Sequence, residues 1–329
     1  MASAGSWAWL ISPGILALFG LCIGSFLNVV VHRLPRMMER QWWAEVAHHL
    51  AHEAGWSGTF SAPRPAGLDT CAAQIDAELG KLPPYGLSHP NSSCPSCGHA
   101  IRWYENIPVV SWLWLKRRCA ACGAAISARY PLVEIATAAL FALAGWRFGP
   151  VPATLLWCGM LTALVALTAI DWDTTLLPDS ITLPLLWAGL VAAGLGWTVP
   201  LPTALWGAVT GYLALWSVYW LFKLATGRGA PYRPWQALYW VTRAATGKEG
   251  MGFGDFKLLA ALGAWLGWQA VLPIVLMASI IGALVGILMK MGGALREGRY
   301  VPFGPFLAGG GVVVLLAGMP RVLGWIGWA

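Results

Sequence analysis

The sequence predicts an all-α polytopic membrane protein of about eight transmembrane helices, with a small cytoplasmic domain inserted after the first. Composition is the first reason: 58% of the 329 residues are hydrophobic and 11% are charged, against about 25% charged in a soluble domain, and the mean hydropathy is +0.63. The second is the length of the uncharged runs, since 148–170, 180–222, 258–289 and 300–320 contain no Asp, Glu, Lys or Arg and about 20 apolar residues span a bilayer as a helix. The third is the one extended polar stretch, 32–129, which separates an apolar N-terminal segment from the rest.

The elements follow in order. Residues 1–31 hold the first span, about 10–31, with no charged side chain before His32. It lacks the basic flank of a cleavable signal peptide, its cations Arg33, Arg36 and Arg40 following instead of preceding it. The polar segment opens on "RMMERQWWAEVAHHLAHEAGW", where Trp42, Trp43, Val46 and Leu50 recur at helical spacing, as in a helix lying on the membrane surface or on its own domain. His48, His49 and His52 read as a solvated face, with no acidic or Cys partner at ligand spacing. Residues 57–90, with Pro63, Pro65, Pro83, Pro84 and Pro90, read as loop. From 130 to 329 a helical bundle is expected. A span starts near Tyr130, another fills 148–170, and the run 180–222 divides near Pro200 and Pro202. The run 258–289 turns near Gly267, and 300–320 is the last span.

Charge orients the chain. Residues 32–133 hold ten Lys or Arg, 223–257 hold six and 290–299 hold three, leaving only Arg147 and Arg321. With eight spans these basic segments share one side, cytoplasmic by the positive-inside rule, with both termini outside. The net charge of +7 is therefore topological, and nucleic-acid binding is not expected.

"CPSCG" (94–98) and "CAACG" (119–123) place two Cys-x-x-Cys pairs 21 residues apart. Each pair brings two thiolates to one tetrahedral ion, and the glycine after the second Cys permits a tight turn. Cys94, Cys97, Cys119 and Cys122 are thus candidate ligands of a structural Zn²⁺ that makes 32–129 a zinc-binding domain. A redox dithiol is disfavoured by the cytoplasmic placement and the lack of a βαβ pattern. Cys22, Cys71 and Cys158 look incidental.

Among the 14 acidic residues, those touching the bundle are Glu134, Asp171, Asp173, Asp179 and Asp255. In "ALTAIDWDTTLLPD" Asp171 ends the third span, and in "EGMGFGDFKLL" Asp255 begins the sixth from the same face. An ionisable group there costs several kcal/mol, about 3 by insertion scales, and is functional by default. Two adjacent carboxylates cannot both ionise easily, so one serves as acid and the other as base, which suits hydrolysis of a peptide by an activated water. Gly252 and Gly254 leave the backbone before Asp255 open to close approach by a substrate chain. The competing reading makes both aspartates helix-end charges in headgroup water, Asp255 favoured there by the helix dipole.

These residues resemble a known family, the bacterial type IV prepilin peptidases, membrane aspartyl proteases of the Gly-x-Gly-Asp group. "GSFLNVVVHRLP" (24–35), "CPSCG", "ENIPVVSW" (105–112), "CAACG", "RYPLVE" (129–134), "ID" with "LLPD" (170–179), "GMGFGDFKLL" (250–259) and "PFGPFL" (302–307) stand in the family's order. The resemblance implies an inner-membrane enzyme that removes the short basic leader of type IV prepilins or type II secretion pseudopilins on the cytoplasmic side. It then implies methylation of the new N-terminal residue with S-adenosylmethionine. By motif match Asp171 and Asp255 are the catalytic pair and the four cysteines the zinc ligands, with Glu134, Asp173 and Asp179 in support. Two alternatives stand beside it: a protease without methylase activity, or a non-catalytic assembly factor whose zinc domain holds partners. The family pattern is broken by about 20 extra residues, 228–247, a loop insertion beside the site. No strand-anchored Gly-x-Gly-x-x-Gly marks an S-adenosylmethionine pocket.

Overall fold

The structure, a computed structural model, describes residues 8–52, 56–58, 60–225, 252–292 and 301–327. The expected insertion at 228–247 lies outside the described residues. Eleven α-helices occur among these residues, and no strand beyond isolated bridges. They are α1 (Pro13–Ala51), α2 (Leu68–Lys81), α3 (Val110–Trp114), α4 (Arg129–Phe148), α5 (Pro152–Thr174), α6 (Asp179–Gly194), α7 (Leu201–Ala225), α8 (Phe253–Leu266), α9 (Val271–Met291), α10 (Gly304–Ala317) and α11 (Met319–Ile326). The chain divides into two compact units, one of Met1–Gly24 with Leu132–Ala329 and one of Ser25–Pro131.

The expected eight spans are not what the structure supports. Among the described residues four helices are long and apolar enough to cross a membrane: Pro13–Ala51, Arg129–Phe148, Pro152–Thr174 and Trp268–Met291. A fifth is reached if α10 and α11, bent by 114°, count as one. The helices of the uncharged runs do form, but α6, α8 and α10 have 16, 14 and 14 residues. At about 1.5 Å per residue they reach roughly 21–24 Å, short of a hydrocarbon core of about 30 Å. Helix α7 has 25 residues but is not among the helices that meet both conditions. An absence of charge, which the sequence reading counted, is a weaker condition than sufficient length and apolarity together.

In the first unit α8 is the central helix. Ten of its 14 residues are buried, which a helix apolar all round requires. It packs against α6, α7 and α10. Its approach to α7 is glycine-limited: a Cβ on Gly207 would overlap Gly263 O, one on Gly263 would overlap Gly207 O, and one on Gly211 would fall 2.5 Å from Leu259 O. Gly207 and Gly211 are a Gly-x-x-x-Gly pair, which lets apolar helices meet backbone to backbone. Gly20 and Gly24 repeat the device against α4, their Cβ positions lying 2.7 Å from Ala138 Cα and 2.6 Å from Glu134 Cα. Trp265 closes the far end of α8, donating Nε1–H to Leu185 O at 2.8 Å. Gly267, at φ 87°, turns the chain toward α9.

The second unit is built on the later half of α1, which continues through Pro35 to Ala51. Arg33 donates to Gly86 O (2.9 Å) and Arg40 to Pro83 O (2.9 Å), strapping the 83–87 segment to the helix. Trp42, Trp43 and Val46 are exposed, as are His48, His49 and His52. The stretch expected to be loop, 57–90, contains α2. Its three alanines and two leucines favour helix, and the prolines flank that helix instead of interrupting it.

Candidate active site and metal centre

Four chain segments of the first unit converge on the two aspartates. Asp171 lies in the last turn of α5, and its backbone oxygen accepts from Thr175 N (2.8 Å), which ends the helix. Thr175 stands at φ 55°, an unfavoured backbone for a β-branched residue, and the chain turns there into Leu177. Asp255 lies in the first turn of α8, its N–H donating to Gly252 O at 3.2 Å. Asp171 and Asp255 are only 4% and 6% exposed and close enough for their charges to interact. Their juxtaposition joins residues 84 positions apart in the sequence.

The walls are glycine and leucine. A Cβ on Gly254 would fall 2.6 Å from Leu177 Cβ. A Cβ on Gly304, the first residue of α10, would fall 2.5 Å from Asp171 Oδ2 and 3.2 Å from Leu177 Cδ1. The positive end of the α10 dipole thus meets the Asp171 carboxylate. Gly252 is open, with no such crowding. Asp171 Oδ2 is buried and, among the described residues, has no hydrogen-bond partner of good geometry, although the Gly304 N–H lies against that carboxylate. Buried polar atoms are nearly always paired, and exceptions call for an explanation.

The remaining acidic candidates sit differently. Asp179 opens α6 and pairs with Lys257 Nζ of α8 at 2.7 Å, joining the two helices beside the site. Glu134 is buried on α4 and packs where Gly24 approaches it. Asp173 follows Asp171 on α5 but is largely exposed. Gly304 and Leu177 lie in the quoted motifs "PFGPFL" and "LLPD", yet the sequence reading assigned neither a role. Their small or apolar side chains carry no chemistry, and only the packing reveals them.

In the second unit the four cysteines come together as two near-identical turns. Gly98 N donates to Cys94 O and Gly123 N to Cys119 O, both at 2.9 Å. Gly98 and Gly123 stand at φ 71° and 72°, where glycine carries no Cβ penalty. Cys94 N returns to His99 O (2.9 Å) and Cys119 N to Ala124 O (2.8 Å). The four sulfurs lie within 4.8 Å of one another, and Cys94 and Cys122 are 3.8 Å apart. Tetrahedral Zn²⁺ with Zn–S near 2.3 Å separates its sulfurs by about 3.8 Å, so the group fits that ion. Backbone N–H groups of Ser96 and Cys97 aimed at Cys94 pull its thiol down to about 6. Cys97, although the His99 N–H opposes this, is pushed up to about 11 by its bond with Cys122, by burial and by the remaining cysteines. Thiols this close resist joint ionisation, and a dication relieves that resistance. Glu105 braces the first turn, accepting from Arg102 N (2.9 Å) and pairing with His99 Nε2 (3.1 Å). Among the described residues no other group of three or more ligating side chains gathers.

Comparison with known proteins bears on most of the chain. Residues 18–148 match the model of the bacterial peptidase A24 N-terminal domain, and residues 158–287 that of the type IV leader peptidase family. Proteins named prepilin leader peptidase/N-methyltransferase align over 304 residues, 92% of this chain. That of Aeromonas salmonicida is 47% identical with 90% of its length covered, that of Pseudomonas aeruginosa 47% with 89%, and that of Burkholderia pseudomallei 45% with 85%. No solved structure matches the chain.

Proposed function

The chain belongs to the type IV leader peptidase family, and from that premise we propose that it cleaves the basic leader of prepilins or pseudopilins with Asp171 and Asp255. The observation that carries this reading is the pair of buried carboxylates, delivered from α5 and α8 to one place with Asp171 Oδ2 lacking a hydrogen-bond partner of good geometry among the described residues. One carboxylate is ionised and takes a proton from water as the oxygen attacks the scissile carbonyl. The other, protonated, donates to the developing oxyanion. Collapse of the tetrahedral intermediate breaks the C–N bond, and the proton gained from water passes to the leaving amine, with no covalent enzyme intermediate. Gly252 lines the approach of the substrate backbone, whereas the side-chain face of Gly254 is closed by Leu177.

The same reading gives the new N-terminal amine a methyl group, as the relatives' name suggests, with S-adenosylmethionine the donor that the family resemblance implies. That donor supplies an electrophilic methyl to an unprotonated amine, and no side chain is assigned to it here. Zn²⁺ held by Cys94, Cys97, Cys119 and Cys122 is structural: four protein ligands leave no open position for water. The site faces the cytoplasm of the inner membrane, supported by the ten Lys and Arg of 32–133 and the six of 223–257, which share one side with the four spans of the structure.

The test is leader removal from a purified prepilin by the detergent-solubilised protein, beside Asp171→Asn and Asp255→Asn, with the mass of the new N-terminus read. Each substitution is expected to lower cleavage by about 10³-fold or more, in the upper half of the general range for one acid–base group because the two act as a unit. Addition of one methyl only when S-adenosylmethionine is present establishes the second activity. Cleavage without it marks a protease alone. Variants that still cut, or pilus assembly that tolerates both substitutions, would refute the aspartate mechanism.

A further inference from the structure

The cysteine-bearing unit exposes an apolar surface that metal binding does not use. Helix α3 has two faces. Ser111 is buried and donates to Ile107 O (2.7 Å), and Trp112 Nε1 donates to Ile126 O (3.2 Å). The opposite face, at i, i+3 and i+4, is Val110, Leu113 and Trp114, which are 55%, 62% and 74% exposed. The turn Trp103–Asn106 packs beside α3 and presents Trp103, 82% exposed. Fully solvated tryptophan and leucine on one small unit are unfavourable in water.

Cations border that face. Lys116, Arg117 and Arg118 follow directly and are exposed, with no ion pair among the described residues. Lys116 and Arg117 stand at φ 50° and 65°, a backbone unfavoured for residues with a Cβ. Hydrogen bonds hold them there: Lys116 N to Leu113 O (3.0 Å), Arg117 N to Trp112 O (2.9 Å) and Ile126 N to Arg117 O (2.7 Å). The next residue after Arg118 is Cys119, and Trp103 follows the first cysteine turn through the Glu105 brace. The metal centre therefore anchors both halves of the surface.

We propose that this surface is a wedge that docks on an anionic lipid leaflet. Val110, Leu113, Trp114 and Trp103 enter the headgroup–acyl boundary, and Lys116, Arg117 and Arg118 engage lipid phosphates. Charge decides the occupant: apolar residues bordered by uncompensated cations suit acidic lipids, and tryptophan prefers that interface. Connectivity keeps the surface near lipid, because the chain enters the span Arg129–Phe148 shortly after Cys122. This reading goes beyond the proposed peptidase activity and does not require it.

The experiment places p-benzoyl-phenylalanine at Leu113 in the full-length protein, reconstituted in nanodiscs of phosphatidylcholine with or without phosphatidylglycerol. Adducts after illumination are identified by mass. Lipid adducts enriched by phosphatidylglycerol are expected, with the docked-to-free ratio falling about fivefold for each of Lys116→Gln, Arg117→Gln and Arg118→Gln. Wild-type protein gives an independent readout, with slower amide exchange at 110–118 when phosphatidylglycerol is present. Adducts only to protein, whether to this chain or to an added prepilin, overturn the proposal. So does equal lipid labelling in neutral and anionic discs.

Discussion

The two units gather acidic groups by opposite means. In the Ser25–Pro131 unit four thiols are held by short turns, each closed by hydrogen bonds within six residues of chain. In the larger unit two carboxylates are brought together by helix packing, Asp171 at the end of α5 and Asp255 at the start of α8, whose backbone meets α7 at Gly207, Gly211 and Gly263. On the proposed reading the first arrangement leans on a metal ion, since among the described residues the unit buries few large apolar side chains beyond those on α1. The second leans on the core around α8. Damage to one should spare the other.

Cys119→Ser tests the larger dependence. Structural zinc sites carry about 10 kcal/mol or more of apparent folding free energy, so loss of one thiolate should release the ion. The stretch 83–131 should then become protease-sensitive while the helical signal of the bundle persists. Metal content and limited proteolysis followed by mass spectrometry check this. An ion retained at full stoichiometry with an intact fragment pattern would show that the ligand set has been misread.

The same contrast explains what was legible in the sequence. Cys-x-x-Cys-Gly is a local signal because the turn, its glycine and its ligands lie within five residues, and the structure places all four sulfurs together. The aspartates were found by their cost in an apolar setting, but their shared surroundings belong to tertiary structure. Nothing local marks Gly304 as the residue against Asp171, or Leu177 as the wall behind Gly254. The spans were overcounted because a charge-free run says nothing of where a helix stops, and α8 and α10 stop after 14 residues. Proline density misread 57–90, where the prolines flank α2. One available signal went unread: "GAVTG" at 207–211 is Gly-x-x-x-Gly in an apolar helix.

Gly263→Ala is the corresponding test of the bundle. The added methyl meets backbone, the carbonyl of Gly207, which cannot rotate away. Overpacking of this kind costs about 3 kcal/mol at the upper end of its usual range. Helices α7 and α8 should separate, thermal stability should fall and leader cleavage should drop, while bound metal stays at wild-type stoichiometry. Unchanged stability would mean that the two helices have room to give, and that glycine packing does not hold Asp255 in place.

The smallest effect is expected where the two mechanisms do not operate. Lys257 and Asp179 form a 2.7 Å ion pair between α8 and α6, two residues beyond Asp255, with side chains 30% and 53% exposed. Exposed pairs contribute about 0–1 kcal/mol and weaken with salt. Lys257→Gln should therefore change stability by less than about 1 kcal/mol and cleavage by no more than a few-fold, with Asp179→Asn matching it. The double variant decides between tether and bystander. If the pair fixes the register of α8 under Asp255, the single substitutions lower kcat at unchanged KM and the double adds nothing to either. If packing alone sets that register, all three variants cleave like wild type at high salt, and the position of Asp255 depends on the Gly207–Gly263 contact.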